Sequence, residues 1–119
     1  MSDSGARPSL FERIATREIP ARIVLETERV IAFHDIAPKA PLHVIVTPKA
    51  GDYRNVVELA AGDPGLLAEL VAAAHEVADS LSDGQFRLVF NTGPDAGQTV
   101  FHVHAHVLAG GLEETSLGD

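Results

Sequence analysis

Between Gln98 and Leu108 the chain reads Gln98-Thr99-Val100-Phe101-His102-Val103-His104-Ala105-His106-Val107-Leu108, which places three of its six histidines within five residues. Val100, Val103, Val107 and Leu108 are apolar and mostly β-branched, and that pattern predicts a strand. On a strand, residues i, i+2 and i+4 leave the same face, with next-but-one Cα atoms roughly 6.5–7 Å apart. The spacing therefore sets His102, His104 and His106 in a row on one side, with Val103, Ala105 and Val107 on the other. A sheet built on this strand has one apolar face to cover and one face carrying imidazoles. Imidazoles are costly to bury without partners, so the second face is expected to line a site.

The rest of the chain supplies the elements such a sheet needs. Met1 to Pro8 is small and polar and is expected to be a disordered tail, with one domain over residues 9–119. Ser9-Leu10-Phe11-Glu12 fits a capping box, Ser9 as N-cap and Glu12 at N3, starting a short helix that ends before Ile19-Pro20. Ile23 to Glu26 and Val30 to Asp35 read as two strands around a tight turn at Thr27-Glu28-Arg29. Ile36 to Pro41 carries two prolines and is a loop, and His43 to Thr47 is a third strand stopped by Pro48. Residues 51–62 form a connection with one helical turn at Val56 to Ala60. Asp63-Pro64 then opens a helix to about Leu81, with Leu67, Leu70, Val71, Ala74, Ala78 and Leu81 at helical spacing. Gly84 is placed to end it, Gln85 to Asn91 is a fourth strand, and Thr92 to Gly97 is a glycine-punctuated loop. Strands joined by hairpins around one long helix predict an α+β fold, an antiparallel sheet covered on one face.

Composition removes several functions. With 119 residues there is room for one core and little for a second. The chain has no cysteine, so disulfides and thiolate zinc sites are excluded. No apolar run approaches the length of a membrane span and the N-terminus lacks a signal peptide's apolar stretch, so the cytoplasm is the expected compartment. A net charge of -8 opposes broad binding to nucleic-acid backbone. It does not oppose a small phosphorylated ligand, because a few local donors can hold one anion.

Three chemistries compete for the histidine row. Two imidazoles and a carboxylate could hold zinc, but the nearest downstream acids, Glu113 and Glu114, lie beyond two glycines, and a third histidine on the same straight strand is far from the first. Alternatively, a neutral imidazole is a competent nucleophile near neutral pH. In that case the middle histidine attacks phosphorus while its neighbours donate to phosphate oxygens, and the Gly93 to Gly97 loop lets backbone N–H groups approach the anion. The third possibility is a set of solvated surface histidines, which suits one histidine better than three in register.

These residues resemble a known pattern. His102-Val103-His104-Ala105-His106-Val107-Leu108 is similar to the signature of the histidine triad (HIT) superfamily. Leu10-Phe11 with Ile14, Glu18-Ile19-Pro20-Ala21, Ala32-Phe33-His34-Asp35-Ile36, Pro38, Ala40-Pro41, His43, Asn91 and Gly97-Gln98-Thr99-Val100 resemble its Hint branch of purine-nucleoside phosphoramidases. The resemblance runs unbroken from about residue 10 to 111. It implies the HIT fold, a five-stranded antiparallel sheet with one long and one short N-terminal helix, and a homodimer that joins the Gln85 to Asn91 strands into one continuous sheet.

It also implies roles. His104 would be the nucleophile, forming a nucleotidyl-histidine that water hydrolyses. His102 and His106 would contact phosphate or relay protons, and His43 would orient His104. Asn91, Gly97, Gln98 and Thr99 would face the phosphate and leaving group, and Phe11, Ile14, Phe33, Asp35, Ile36 and Val100 the nucleoside. Phe33 and Asp35 share a strand face, and an aromatic ring beside a carboxylate suits a base followed by ribose hydroxyls. His34 points the other way and His75 faces solvent. The implied activity is hydrolysis of the P–N bond in purine nucleoside 5'-phosphoramidates, or of related nucleotidyl-lysine and acyl-nucleotide adducts, with AMP or GMP bound and no metal or organic cofactor required. Dinucleoside polyphosphate hydrolysis, a nucleotide-sensing adaptor and a zinc-dependent module are the alternatives. The chain departs from the family pattern at Thr99 (usually serine), at Leu112 (often arginine), in having no Cys-x-x-Cys pair, and in its acidic tail without tryptophan. Those departures bear mainly on leaving-group preference.

Overall fold

The computed structural model describes residues 7–114. Most of the tail expected to be disordered, and the last five residues of the acidic C-terminus, lie outside them. The elements are α1 (Leu10–Ala15), β1 (Ile23–Glu26), β2 (Val30–His34), β3 (Leu42–Pro48), α2 (Val56–Gly62), α3 (Pro64–Leu81), β4 (Arg87–Val89), a 3₁₀ turn at Pro94–Ala96 and β5 (Ala105–Ala109). The five strands form one sheet in the order β1-β2-β3-β5-β4, with every neighbouring pair antiparallel. This is the α+β architecture expected from the sequence, a five-stranded antiparallel sheet with a short N-terminal helix and one long helix, with α2 in addition.

Strand alternation divides the sheet into two unlike faces. Val30, Ala32, Val44, Val46, Ala105, Val107 and Ala109 meet Leu59 of α2 and Leu66, Leu70, Ala73, Ala74 and Val77 of α3 in the main core. The residues between them, Ile31, Phe33 and Ile45, turn to the other face and pack with Phe11 and Ile14 of α1. Full burial of one such aliphatic side chain stabilises by about 1.5–3 kcal/mol, so each face contributes to holding the sheet.

The predicted caps are present. The Ser9 side chain accepts from Glu12 N–H while Glu12 reaches back to Ser9 N–H, the reciprocal pair of a capping box. Asp63 caps α3 with Pro64 at its first position, and the same residue ends α2. Each such cap contributes about 1 kcal/mol, a large share for a helix of six residues.

Three expectations need correction. The buried stripe of α3 is Leu66, Leu70, Ala73, Ala74, Val77 and Ala78, so Val71 and Leu81 of the expected stripe are exposed. Two apolar stripes lie side by side on this helix, and contact with the sheet selects the one with the smaller residues, which allow close approach. The connection before it carries a complete helix, α2, rather than one turn. Finally, the histidine strand is shorter than predicted. Pairing between β3 and β5 ends at Val46↔Ala105, because Pro48 has no N–H to continue the ladder and the Thr47 hydroxyl donates to Val103 O at 2.7 Å. His102 and His104 therefore precede the strand, and only His106 lies on it.

Candidate functional site

The loss of strand geometry gives the three histidines three different environments. His102 is fully buried. Its Nε2 lies 2.7 Å from Pro48 O, a carbonyl that can only accept, so Nε2 carries the proton. Its Nδ1 is then the acceptor for the Ser9 hydroxyl at 2.5 Å. Both ring nitrogens are satisfied inside the protein, which leaves His102 no atom for a ligand. Of the contacts the family resemblance implied for His102, the direct one to phosphate has no donor left to make it.

His104 is held differently. Its Nδ1 is 2.8 Å from the backbone carbonyl of His102, so Nδ1 carries the proton and Nε2 bears the lone pair. No group among the described residues pairs with that Nε2. The Phe11 ring stands edge-on to it, with centroids 4.8 Å apart at 71°, and fixes the ring plane. Burial lowers the imidazole's pKa below its ordinary value, against opposing pulls from the His102 carbonyl and Asp35. Burial lowers that of His102 too. His104 is thus a neutral imidazole with its Nε2 unprotonated.

His106 takes part in a chain of its own. Lys39 N–H donates to His43 Nδ1 at 2.9 Å, which puts the His43 proton on Nε2. That nitrogen lies 2.9 Å from His106 Nδ1, so His106 accepts there and carries its proton on Nε2. The His43 hydrogen bond thus goes to His106, while the expected partner, His104, is oriented by the His102 carbonyl. Burial, together with the nearby His104 and His43, pushes His106 down to about 4. Burial also lowers His43. His104 and His106 sit with ring centroids 5.2 Å apart.

A cavity of about 290 Å³ opens beside this pair, lined by Asp35, Lys39, His43, Val89, Asn91 and His106 among others. Asn91 and Asp35 are thereby brought to the site. Phe11, Ile14 and Phe33 do not line the cavity: they are buried in the second core cluster, with Val100 packed against them, and Phe11 reaches the His102 and His104 rings from there. Ile36, also expected at the nucleoside, is 99% exposed. Gln98 is buried, its amide accepting from Gly93 N–H and donating to Arg54 O and Val100 O. It holds the loop from inside. Gly93 and Gly97, at φ 93° and 94°, supply the left-handed backbone that this loop needs, and Thr99 is exposed at its end. His34 alternates away from this face, and His75 lies exposed on α3, 3.6 Å from Asp79.

The acid that meets the imidazoles is Asp35, 3.4 Å from His43 Nε2, rather than Glu113 or Glu114. Asp35, His43 and His106 present ligand atoms within 4.8 Å of one another, a set that could be read as a metal centre. The proton positions argue otherwise. A cation needs the lone pair at His43 Nε2, and moving the proton to Nδ1 would set it against Lys39 N–H. The cluster as folded fits a hydrogen-bond chain and does not fit a metal. Sequence reasoning missed this chain, and it missed Ser9 and the Pro48 carbonyl as partners of His102, because backbone acceptors and long-range hydroxyl contacts leave no spacing signal.

The sequence matches the HIT domain over residues 16–111. An uncharacterized HIT-like protein of Synechocystis sp. is 46% identical over 109 residues, covering 88% of this chain and 92% of that protein. Among solved structures, a HIT family hydrolase from Clostridium thermocellum superposes with a TM-score of 0.82 at 42% identity, over 88% of this chain and 92% of that one. A hypothetical histidine triad nucleotide-binding protein from Sulfolobus tokodaii superposes with a TM-score of 0.70 at 32% identity, over 82% of this chain and 66% of that one.

Proposed function

Because this chain belongs to the HIT family, we propose that it is a nucleotide-binding hydrolase that cleaves the P–N bond of purine nucleoside 5'-phosphoramidates through a nucleotidyl-His104 intermediate. The observation that carries this reading is the 2.8 Å contact from His104 Nδ1 to the His102 carbonyl. It keeps the lone pair on Nε2, the nitrogen left over for attack. The names of two structural neighbours, a HIT family hydrolase and a nucleotide-binding protein, point the same way.

In the reaction, His104 Nε2 bonds to the α-phosphorus and the P–N bond to the amine breaks. A proton from solvent leaves with the amine. The growing positive charge on the imidazole is met at Nδ1–H by the His102 carbonyl. His106 Nε2–H, held in that tautomer by His43, donates to the phosphoryl oxygens, and fixed donors of this kind stabilise developing charge without reorganising. Water then attacks phosphorus, releases one proton, and returns His104 to its starting form. The purine lies against the Phe11, Phe33 and Val100 cluster, and Asp35 accepts from the ribose hydroxyls. No metal or cofactor takes part, and the protein acts as a homodimer.

Trapping tests this directly. Mixing the enzyme with an adenosine 5'-phosphoramidate and quenching in base should leave one nucleotide on His104. His104→Asn should leave none while still binding AMP. Turnover without any adduct, or an adduct on another histidine, would overturn the reading.

A further inference from the structure

We propose that Ser9, the N-cap of α1, is a positioning residue for the nucleophile and acts on His104 through the buried ring of His102. This rests on His104 being the nucleophile. Three hydrogen bonds carry the argument. The Ser9 oxygen accepts from Glu12 N–H at 3.0 Å, so its own proton is free to be given elsewhere. His102 Nδ1, 2.5 Å away, is an acceptor because the other ring nitrogen donates to Pro48 O. The hydroxyl proton therefore goes to His102. The ring is pinned at both ends, to the start of α1 and to the end of β3.

That pinning reaches His104 through one peptide group. The His102 carbonyl accepts from His104 Nδ1, and the N–H on the other side of the same peptide, Val103 N–H, donates to Tyr53 O at 2.9 Å. A trans peptide is rigid, so a tilt of the His102 residue moves the carbonyl that selects the His104 tautomer. Phe11 adds a second route. It follows the Ser9 cap by two residues, and its ring packs against both His102, at 5.5 Å between centroids, and His104. One hydroxyl thus secures the helix that presents Phe11 and the ring that presents the carbonyl.

The two routes separate by substitution. Ser9→Thr keeps the cap and the donor. Ser9→Asp keeps a good cap but offers His102 no proton, and Ser9→Ala loses both. Ser9→Ala and Ser9→Asp should each slow formation of the nucleotidyl-His104 adduct by about 10- to 100-fold, the usual consequence of small misplacement. KM should stay within about threefold, and Ser9→Thr should restore the rate. In the nucleotide-free protein, ring ¹⁵N shifts should show the tautomers of His102 and His104 becoming mixed in the Ala and Asp variants. A wild-type rate in Ser9→Asp would reduce Ser9 to a helix cap. Unchanged ring shifts in both variants would overturn the proposal outright. Should the wild type form no adduct at all, the proposed function fails, yet the ring shifts still decide the role of Ser9.

Discussion

His102 and His106 stand at opposite ends of one alternating row, and the protein treats them in opposite ways. At the His102 end the ring is fully buried, with both nitrogens committed to Ser9 and Pro48. At the His106 end one nitrogen accepts from His43, the other has no hydrogen-bond partner among the described residues, and the ring lines a cavity together with Asp35 and Asn91. Identical side chains four residues apart are thus one a strut and the other, in the proposed reaction, a donor to the phosphoryl group. The difference lies in hydrogen-bond accounting: a buried ring with no spare atom can only hold structure, while one with a spare donor is available for chemistry. His104 lies between them, oriented by the backbone carbonyl of the closed end and in ring contact with the open one.

Truncating the two ends should separate these roles most strongly. His102→Ala opens a cavity and strands the Ser9 and Pro48 partners in the interior, and should cost about 3–5 kcal/mol of stability in chemical denaturation. His106→Ala removes a ring from a cavity wall and should cost only about 1 kcal/mol, while slowing turnover by roughly 100-fold. Equal stability losses would erase the distinction.

Acid should sharpen the same contrast with a somewhat smaller effect. His106 sits at about 4, below the ordinary 6.5 of an imidazole, so the folded protein binds that proton more weakly than the unfolded chain does. Stability is therefore complete above pH 6.5, falls as pH drops toward 4, and levels off below it. Solvent screening of the half-buried ring holds the loss from His106 alone below roughly 3 kcal/mol. Denaturation curves at pH 7, 5 and 4 should show this slope, and His106→Gln should remove the His106 share and leave that of the buried His43, His102 and His104. A slope unchanged by His106→Gln would place the titrating group elsewhere.

Much of this was legible in the chain. Ser9, Glu12, Asp63 and Pro64 announced two helix starts, because capping chemistry is local and carries fixed spacing. The alternation of the histidines with Val103, Ala105 and Val107 announces the two sheet faces. The histidine row announces the site but suggests too regular a strand. Strand alternation continued through His102 on paper, whereas Pro48 and the Thr47 hydroxyl end the ladder before it. The α3 stripe is ambiguous for a related reason: Leu67 and Val71 have the same apolar character as Leu66 and Leu70, and only packing against β2 and β3 chooses between them. The union of Asp35, His43 and His106 was invisible, since it joins three separate elements through backbone N–H groups and ring tautomers.

The central claim is that the His102 carbonyl holds His104 with its proton on Nδ1. Ring ¹⁵N correlation spectra of the nucleotide-free protein at pH 7 test it most directly. The account predicts His104 as the neutral Nδ1–H tautomer, with His102 and His106 as Nε2–H tautomers. A His104 that carries its proton on Nε2, or that is imidazolium at that pH, would contradict it.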